Sequence, residues 1–514
     1  MYLIESLLSA NMANSLLLLG LTAIICTSSI SPTQASSQPN IIFITGDDQG
    51  YRDIGYHGSI FKTPNLDSLA EEGVKLENYY VQVYCTPSRA QFMTGRYGIR
   101  MGMQHGVLDQ DQKACLPLNE TTLAQKMQEA GYSTHLIGKW HLGLYREECL
   151  PNNRGFDTFF GFLQGAEYYF SHDTPKGQLD FRRNFEPQWQ YNGTYPTNLY
   201  NEEAVDLINN KDPDKPMFMW LSNQAPHAPL EVPEHYSEPY RDIIKDEQRR
   251  SYAGMMACLD EGVGNVTEAL KANGMYDNTI IIYSSDNGGP VWDGSYNWPL
   301  RGYKGSLFEG GTRAIGFVHS PLLSDHVKGT VNKELIHISD WLPTLVEGIA
   351  ESTTQGTLPL DGINQWDTIR NGSRSSRTEL LHNIDPLVVL SEGGENWTDS
   401  PFNVRMKAAI RLGNWKLLTG DDGEAGWYAP PDTNYTTEEG DKGDIVRLYD
   451  VKEDPEERNN LATKHKPLVY YMLEKLARYN QESIEPIYGD HYPEEADPCK
   501  NGNNCVWGPW ADDE

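Results

Sequence analysis

The chain has 514 residues, a length that accommodates roughly two to four domains. Its 39% hydrophobic and 11% aromatic content supports a large buried core and excludes wholesale disorder. With 42 Lys and Arg against 72 Asp and Glu, the net charge of −30 excludes nucleic-acid binding by bulk electrostatics. Any anionic ligand must therefore meet a positive site built locally within a negative field.

In chain order, residues 16–26 form an apolar run of the length of a secretory h-region, too short to span a bilayer. Thr33, Gln34 and Ala35 follow at cleavage-site spacing, so residues 1–35 read as a signal peptide, although Glu5 stands where a positive n-region is usual. Six acceptor sequons, at Asn119, Asn192, Asn265, Asn371, Asn396 and Asn434, agree with that route. The expected destination is the secretory pathway, ending outside the cell or in a lysosome, with no membrane span.

Residues 41–44 read as a buried strand. Thr63 as N-cap and Pro64 at the first helical position open a helix that Gly73 closes. Residues 122–125 carry a capping-box pattern at the head of a helix running to Ala130, and residues 134–137 are the next strand. Residues 217–221 and 279–284 are strands separated by a long helical pattern over 250–273, residues 314–318 are another strand, and 341–349 read as helix. This alternation predicts an α/β domain over 36–366, a doubly wound, mostly parallel sheet with helices on both faces. Beyond Trp366 the character changes. Strands over 407–418 and 445–449 and an amphipathic helix over 467–480 predict a smaller C-terminal antiparallel sheet-and-helix domain over 367–514.

Of seven cysteines, Cys26 lies in the leader. Cys115 with Cys149, flanking a helix–strand unit, and Cys499 with Cys505, enclosing a short loop, are the expected disulfides of an oxidising compartment. Cys258 sits among Met255, Met256, Leu259 and Val263 at helical spacing and reads as a buried free thiol.

Ligands of open α/β sheets sit beyond the carboxyl ends of the strands. There this sequence carries Asp47-Asp48, Lys139-Trp140-His141, His227 after Gln224-Ala-Pro, and Asp286-Asn287-Gly288-Gly289. Each alone reads equally well as turn chemistry or a surface side chain. Together, Asp47, Asp48, Asp286 and Asn287 form an oxygen-only set suited to calcium or magnesium and poor for zinc. In the segment from Tyr84 to Arg96, Pro87 is placed to start a helix, which sets Cys85 at a helix N-terminus near Arg89, where an anion is favoured. The bland alternative for Cys85 is a structural disulfide.

Cys85-Thr-Pro-Ser-Arg89 followed by Thr94-Gly-Arg96 resembles the type I sulfatase signature, in which the cysteine is oxidised to formylglycine. The stretch Gly131-Tyr-Ser-Thr-His-Leu-Ile-Gly-Lys-Trp-His141 is similar to the second signature of that family, and the likeness extends through Asn297–Lys304, Glu309–Arg313, Ala409–Lys416 and Leu448–Pro455. Several blocks are closest to its arylsulfatase B, or N-acetylgalactosamine-4-sulfatase, branch. Val83-Tyr84 before the cysteine, and Gly305 and Phe308 after Lys304, depart from that branch and bear on substrate identity.

The resemblance implies an alkaline-phosphatase-like fold and hydrolysis of sulfate esters on sulfated sugars such as N-acetylgalactosamine 4-sulfate. It implies that a formylglycine-generating enzyme converts Cys85, and that one Ca2+ is bound by Asp47, Asp48, Asp286, Asn287 and the modified Cys85. One hydroxyl of the hydrated aldehyde would attack sulfur, and the second would release sulfate. Arg89 would stabilise the diol, Lys139, His227 and Lys304 would neutralise sulfate oxygens, and His141 would orient the nucleophile. His227 or Lys304 would protonate the leaving oxygen. The acidic composition fits an optimum between roughly pH 4 and 6. Two other readings share parts of this pattern: a phosphate mono- or diester hydrolase of the same superfamily, and an inactive calcium-bound protein that binds sulfated glycans.

Overall fold

The computed structural model describes residues 38–511 apart from 175–176, 421–424 and 442–443, so the expected signal peptide lies outside the described residues. Five parallel strands form the centre: β1 (Asn40–Gly46), β2 (Ser133–Lys139), β3 (Thr158–Phe162), β4 (Met217–Ser222) and β5 (Thr279–Ser285), in the spatial order β5-β1-β4-β2-β3. Ile41 and Phe43 of β1 enter one core while Ile42 and Ile44 enter the other, and none is more than 1% exposed. Burial on both faces is why the strand is a continuous apolar run rather than an alternating one. Helices α1 (Pro64–Glu72), α4 (Pro196–Asn209) and α5 (Glu247–Ala272) cover one face, and α2 (Cys85–Thr94) and α3 (Leu123–Glu129) the other.

The predicted capping box of α3 is formed: Thr122 accepts from Gln125 N, and Gln125 Oε1 accepts from Thr122 N. The start of α1 differs from expectation. Thr63 occupies the N-cap, but its hydroxyl accepts from Gly55 N and donates to Asp67. The first free amides of the helix, Asn65 N and Leu66 N, go instead to the Asp260 carboxylate of α5, at 3.1 and 2.8 Å. A carboxylate delivered by another helix satisfies the orphan donors that a local hydroxyl would otherwise take.

The strand expected over 314–318 is β6 (Gly316–His319), which runs antiparallel to β5 and carries the sheet to its edge through Val74–Leu76 and Thr330–Asn332. The helix expected over 341–349 is a short α-turn, Trp341–Pro343, that widens into a π-helix over Thr344–Ile349. Pro343 has no N–H to give to the regular ladder.

Farther along, β7 (Glu379–Val389), β8 (Met406–Leu412), β9 (Trp415–Thr419) and β10 (Val446–Asp450) form a separate antiparallel sheet in that order. Helix α6 (Lys466–Gln481) packs Val469, Met472, Leu473 and Leu476 against it. Cys115–Cys149 and Cys499–Cys505 are bonded, and Cys258 is a buried free thiol. All six sequon asparagines are exposed. No helix among the described residues is long and apolar enough to cross a membrane.

Candidate active site

Because β5, β1, β4 and β2 are neighbours and parallel, their carboxyl ends deliver side chains to one place. β1 runs out into Asp47-Asp48, β5 into Asp286-Asn287, β2 ends on Lys139 and β4 on Ser222. Gly138, at φ +97°, lets β2 close on β4, since a Cβ there would stand 2.0 Å from Ser222 O. Asp48 and His141 both take left-handed backbone conformations, φ +62° and +57°, which non-glycine residues adopt at a cost of about 1–3 kcal/mol.

Cys85 is the first residue of α2, with Pro87 inside the first turn, and Arg89 lies one turn on along the same face. Arg89 donates to Asp286 Oδ2 from Nε (3.2 Å) and Nη2 (3.0 Å), and from Nη1 to Lys139 O (2.9 Å) and Ser222 Oγ (2.7 Å). Cys85 Sγ lies 3.2 Å from His141 Nδ1. The other ring nitrogen, Nε2, lies 3.2 Å from Leu108 O; a carbonyl only accepts, so Nε2 carries the proton and Nδ1 presents a lone pair to residue 85. Lys139 Nζ binds Asp47 Oδ2 at 2.5 Å. Lys304 Nζ meets Asp48 at 2.7 Å and 2.9 Å from its two oxygens, and His227 Nε2 lies 3.3 Å from Asp48 Oδ2 and 3.4 Å from Lys304 Nζ. Lys304 and His227 keep 13% and 18% of their side chains exposed against 4% or less for Asp47, Asp48, Arg89, Lys139 and Asp286, so the site opens on their side.

Three carboxylates, Asp47, Asp48 and Asp286, thus face three cations, Arg89, Lys139 and Lys304. Burial opposes ionisation of Asp48, but Lys304, His227 and Lys139 outweigh it and hold its carboxyl well below the usual range. Burial, reinforced by Asp47, pushes Asp286 up to about 6. Burial takes His227 down to about 4 and, with Lys139 and Arg89, takes His141 well below its ordinary value, so both rings are neutral bases. Burial raises the Cys85 thiol despite Lys139 and Lys304, which disfavours a simple thiolate nucleophile.

The donor set fits a hard divalent cation. Asp47, Cys85 and Asp286 offer atoms within 4.8 Å of one another, as do Asp47, Asp48 and His227. Asp47 Oδ1 and Asn287 Oδ1 are buried without a hydrogen-bond partner, while Lys139 takes the opposite oxygen of Asp47 and Asn287 Nδ2 donates to Asp48 Oδ1 at 2.6 Å. Buried oxygens of this kind are costly unless something binds them. A divalent cation would give a balanced set of charges a net positive value suited to an anion.

All ten residues expected from the sequence, Asp47, Asp48, Cys85, Arg89, Lys139, His141, His227, Asp286, Asn287 and Lys304, fall in this one cluster. Sequence reasoning missed Ser222 and the Leu108 carbonyl. The strand-end rule that found Lys139 extends to Ser222, whereas a backbone carbonyl on a distant loop carries no residue-type signal.

The family profile described as Sulfatase matches residues 39–348. Arylsulfatase J of Mus musculus is 48% identical over 497 residues, covering 94% of this chain and 82% of that protein. N-acetylgalactosamine-6-sulfatase of Homo sapiens is 30% identical over 400 residues, covering 72% of this chain and 74% of that protein. The crystal structure of Ps i-CgsB in complex with k-i-k-neocarrahexaose is 29% identical with a TM-score of 0.73, covering 88% of this chain and 94% of that one. With the profile spanning more than half its length and these relatives aligned across most of it, the chain belongs to the type I sulfatase family and is a sulfuric ester hydrolase.

Proposed function

We propose that this protein removes sulfate from sulfated sugars, with N-acetylgalactosamine 4-sulfate of glycosaminoglycans as the first candidate substrate. The observation that carries the reading is Cys85 at the head of α2, 3.2 Å from a neutral His141 and within the field of Lys139 and Lys304. The N-acetylgalactosamine in the name of one relative and the k-i-k-neocarrahexaose held by another support the substrate class. The exposed sequons and expected leader support passage through the secretory pathway to the cell exterior or a lysosome.

Cys85, converted by a formylglycine-generating enzyme, would supply a hydrated aldehyde whose two hydroxyls respectively attack sulfur and expel sulfate. Asp47, Asp48, Asp286 and Asn287, with the side chain at 85, would hold Ca2+, which adds positive charge where sulfate docks. The chain's own groups do the rest. His141 Nδ1 orients the nucleophilic hydroxyl and accepts from it, with its ring fixed by the Leu108 carbonyl. Arg89 stabilises the group at 85 and clamps Asp286. Lys139 and Lys304 neutralise the sulfate oxygens, and the ammonium of Lys304, 3.4 Å from the neutral His227 Nε2 at the open side, protonates the leaving sugar oxygen.

Mass spectrometry of the Cys85 peptide tests the modification, with the exchange of CH2SH for CHO expected. Desulfation of N-acetylgalactosamine 4-sulfate, galactosamine 6-sulfate and glucosamine 6-sulfate beside the matching phosphate esters tests the activity. An unmodified Cys85 with no sulfate released would leave a glycan-binding role, and faster phosphate release would make it a phosphatase.

A further inference from the structure

The charged groups above bind sulfate, and sulfate is common to every ester of this class, so they cannot tell one sugar from another. Selection needs a directional group outside the sulfate pocket whose donor and acceptor atoms are fixed. The loop around residues 104–108 borders the site at Leu108. Leu108 donates its N–H to Thr86 Oγ1 at 3.2 Å and takes His141 Nε2 on its carbonyl, which ties the loop to both α2 and the end of β2.

His105 stands in this loop with 35% of its side chain exposed. Its Nδ1 lies 2.8 and 3.1 Å from the two oxygens of Asp385 on β7, whose side chain is 9% exposed. An ionised carboxylate only accepts, so Nδ1 carries a proton, and among the described residues no hydrogen bond engages Nε2. Tyr488 sets its ring edge-on to His105 at 5.6 Å and donates to Gly106 O at 3.3 Å. Lys407, the cross-strand partner of Asp385 on β8, donates to Gly305 O at 2.7 Å, beside Lys304. One residue pair of the C-terminal sheet therefore touches both loops that flank the reacting groups.

We infer that His105, oriented by Asp385, determines sugar specificity by hydrogen-bonding a hydroxyl of the sulfated sugar through Nε2 while the ester lies between residue 85 and Lys304. The inference rests on the sugar-sulfatase reading above and names the residue that reads the sugar. Asp385 is a positioning residue: it fixes the tautomer and the ring plane and touches no substrate.

The test compares the full chain with His105→Ala, His105→Gln, Asp385→Leu and Asp385→Asn on two substrates. One is the sulfated saccharide that the wild type cleaves fastest, and the other is 4-nitrophenyl sulfate, which has no sugar. For His105→Ala and Asp385→Leu, kcat/KM on the saccharide should fall about tenfold or more beyond any fall on the aryl ester, mainly through KM. His105→Gln, which keeps a hydrogen-bonding side chain, and Asp385→Asn, whose Oδ1 still accepts from Nδ1–H, should recover part of the loss and carry the comparison if the harsher variants do not fold. A saccharide-to-aryl ratio that stays within about twofold of wild type in the folded variants overturns the inference and leaves the sugar-sulfatase reading standing. A wild-type protein that cleaves the aryl ester but no saccharide, or neither, removes that reading and this inference with it.

Discussion

Lys139 and Asp47 meet at 2.5 Å with neither side chain exposed, although their strands, β2 and β1, are separated in the sheet by β4. The contact occupies Asp47 Oδ2, which Arg89 Nη2 also approaches at 3.7 Å, and leaves Oδ1 without a partner. One carboxylate is thereby divided between a cationic side and a side open to a cation.

Lys139→Ala should lower kcat on a sulfate ester by about 10²–10³, the loss typical of a preorganised charge at a reacting centre. It should also destabilise the fold by about 3 kcal/mol, because removing one partner of a buried pair strands the other. Steady-state kinetics and a urea melt check both. A variant with near wild-type turnover would remove Lys139 from the sulfate pocket.

Chelation should lower the melting temperature. A cation held at about a hundred times its dissociation constant stabilises the fold by about 2.7 kcal/mol. Asn287→Ala removes one orphan oxygen and Asp47→Asn one charge, so both should shrink the melting shift produced by added Ca2+. Titration calorimetry on the chelated protein reads the same site without any turnover, and an absence of Ca2+ heat would count against the ligand set.

The stabilisation contributed by the Glu167–Asp180 cluster should be lost as pH rises from about 4.5 to about 7, opposite in sign to that of His227 and His141, whose depressed pKa values withdraw stability as pH falls. Burial pushes Glu167 from 4.5 up to about 7 and Asp180 from 3.8 up to about 6. Glu167 faces His172, Tyr200 and Asp180, with Arg182 beside Asp180, and its Oε2 has no partner. A carboxyl whose folded pKa stands above its unfolded value binds more protons in the fold, so its stabilisation is complete below the lower value and is lost as pH passes the upper. His172 acts in the same direction: its bonds to Glu167 raise its pKa against the opposing effect of burial, and that contribution is lost above the raised value. Melting curves of the wild type and Glu167→Gln from pH 4.5 to 8 isolate the contribution: the stability of the wild type relative to the variant should decline as pH rises through about 7.

The parallel sheet was legible because each central strand is an apolar run too short for a helix and bounded by turn residues. The cluster of acids and cations was legible because the strand-end rule turns scattered motifs into one location. What stayed hidden depends on tertiary partners. Asp260 caps α1 from 195 residues away, and Asp385 orients His105 from 280 residues away. Neither position carries a local pattern, since an acid on a helix or strand face reads as solvated surface. The antiparallel turn of β6 was hidden as well, because an apolar run fixes burial and not direction.

Gly165 provides a test of His141 that leaves His141 itself in place. A Cβ at residue 165 would stand 2.8 Å from His141 Cε1 and 2.9 Å from Nε2, closer than such atoms approach. Gly165→Ala should therefore push the ring off the Leu108 carbonyl and move Nδ1 away from residue 85, with no charge or hydrogen-bonding group deleted. A displacement of about 1 Å at a reacting group costs on the order of 10²-fold in rate, so kcat should fall by that order while KM changes little. Ca2+ binding and conversion of Cys85 should persist, because none of Asp47, Asp48, Asp286 and Asn287 is among the nearest contacts of that Cβ. Turnover within about threefold of wild type would show that the ring position is not what limits the reaction.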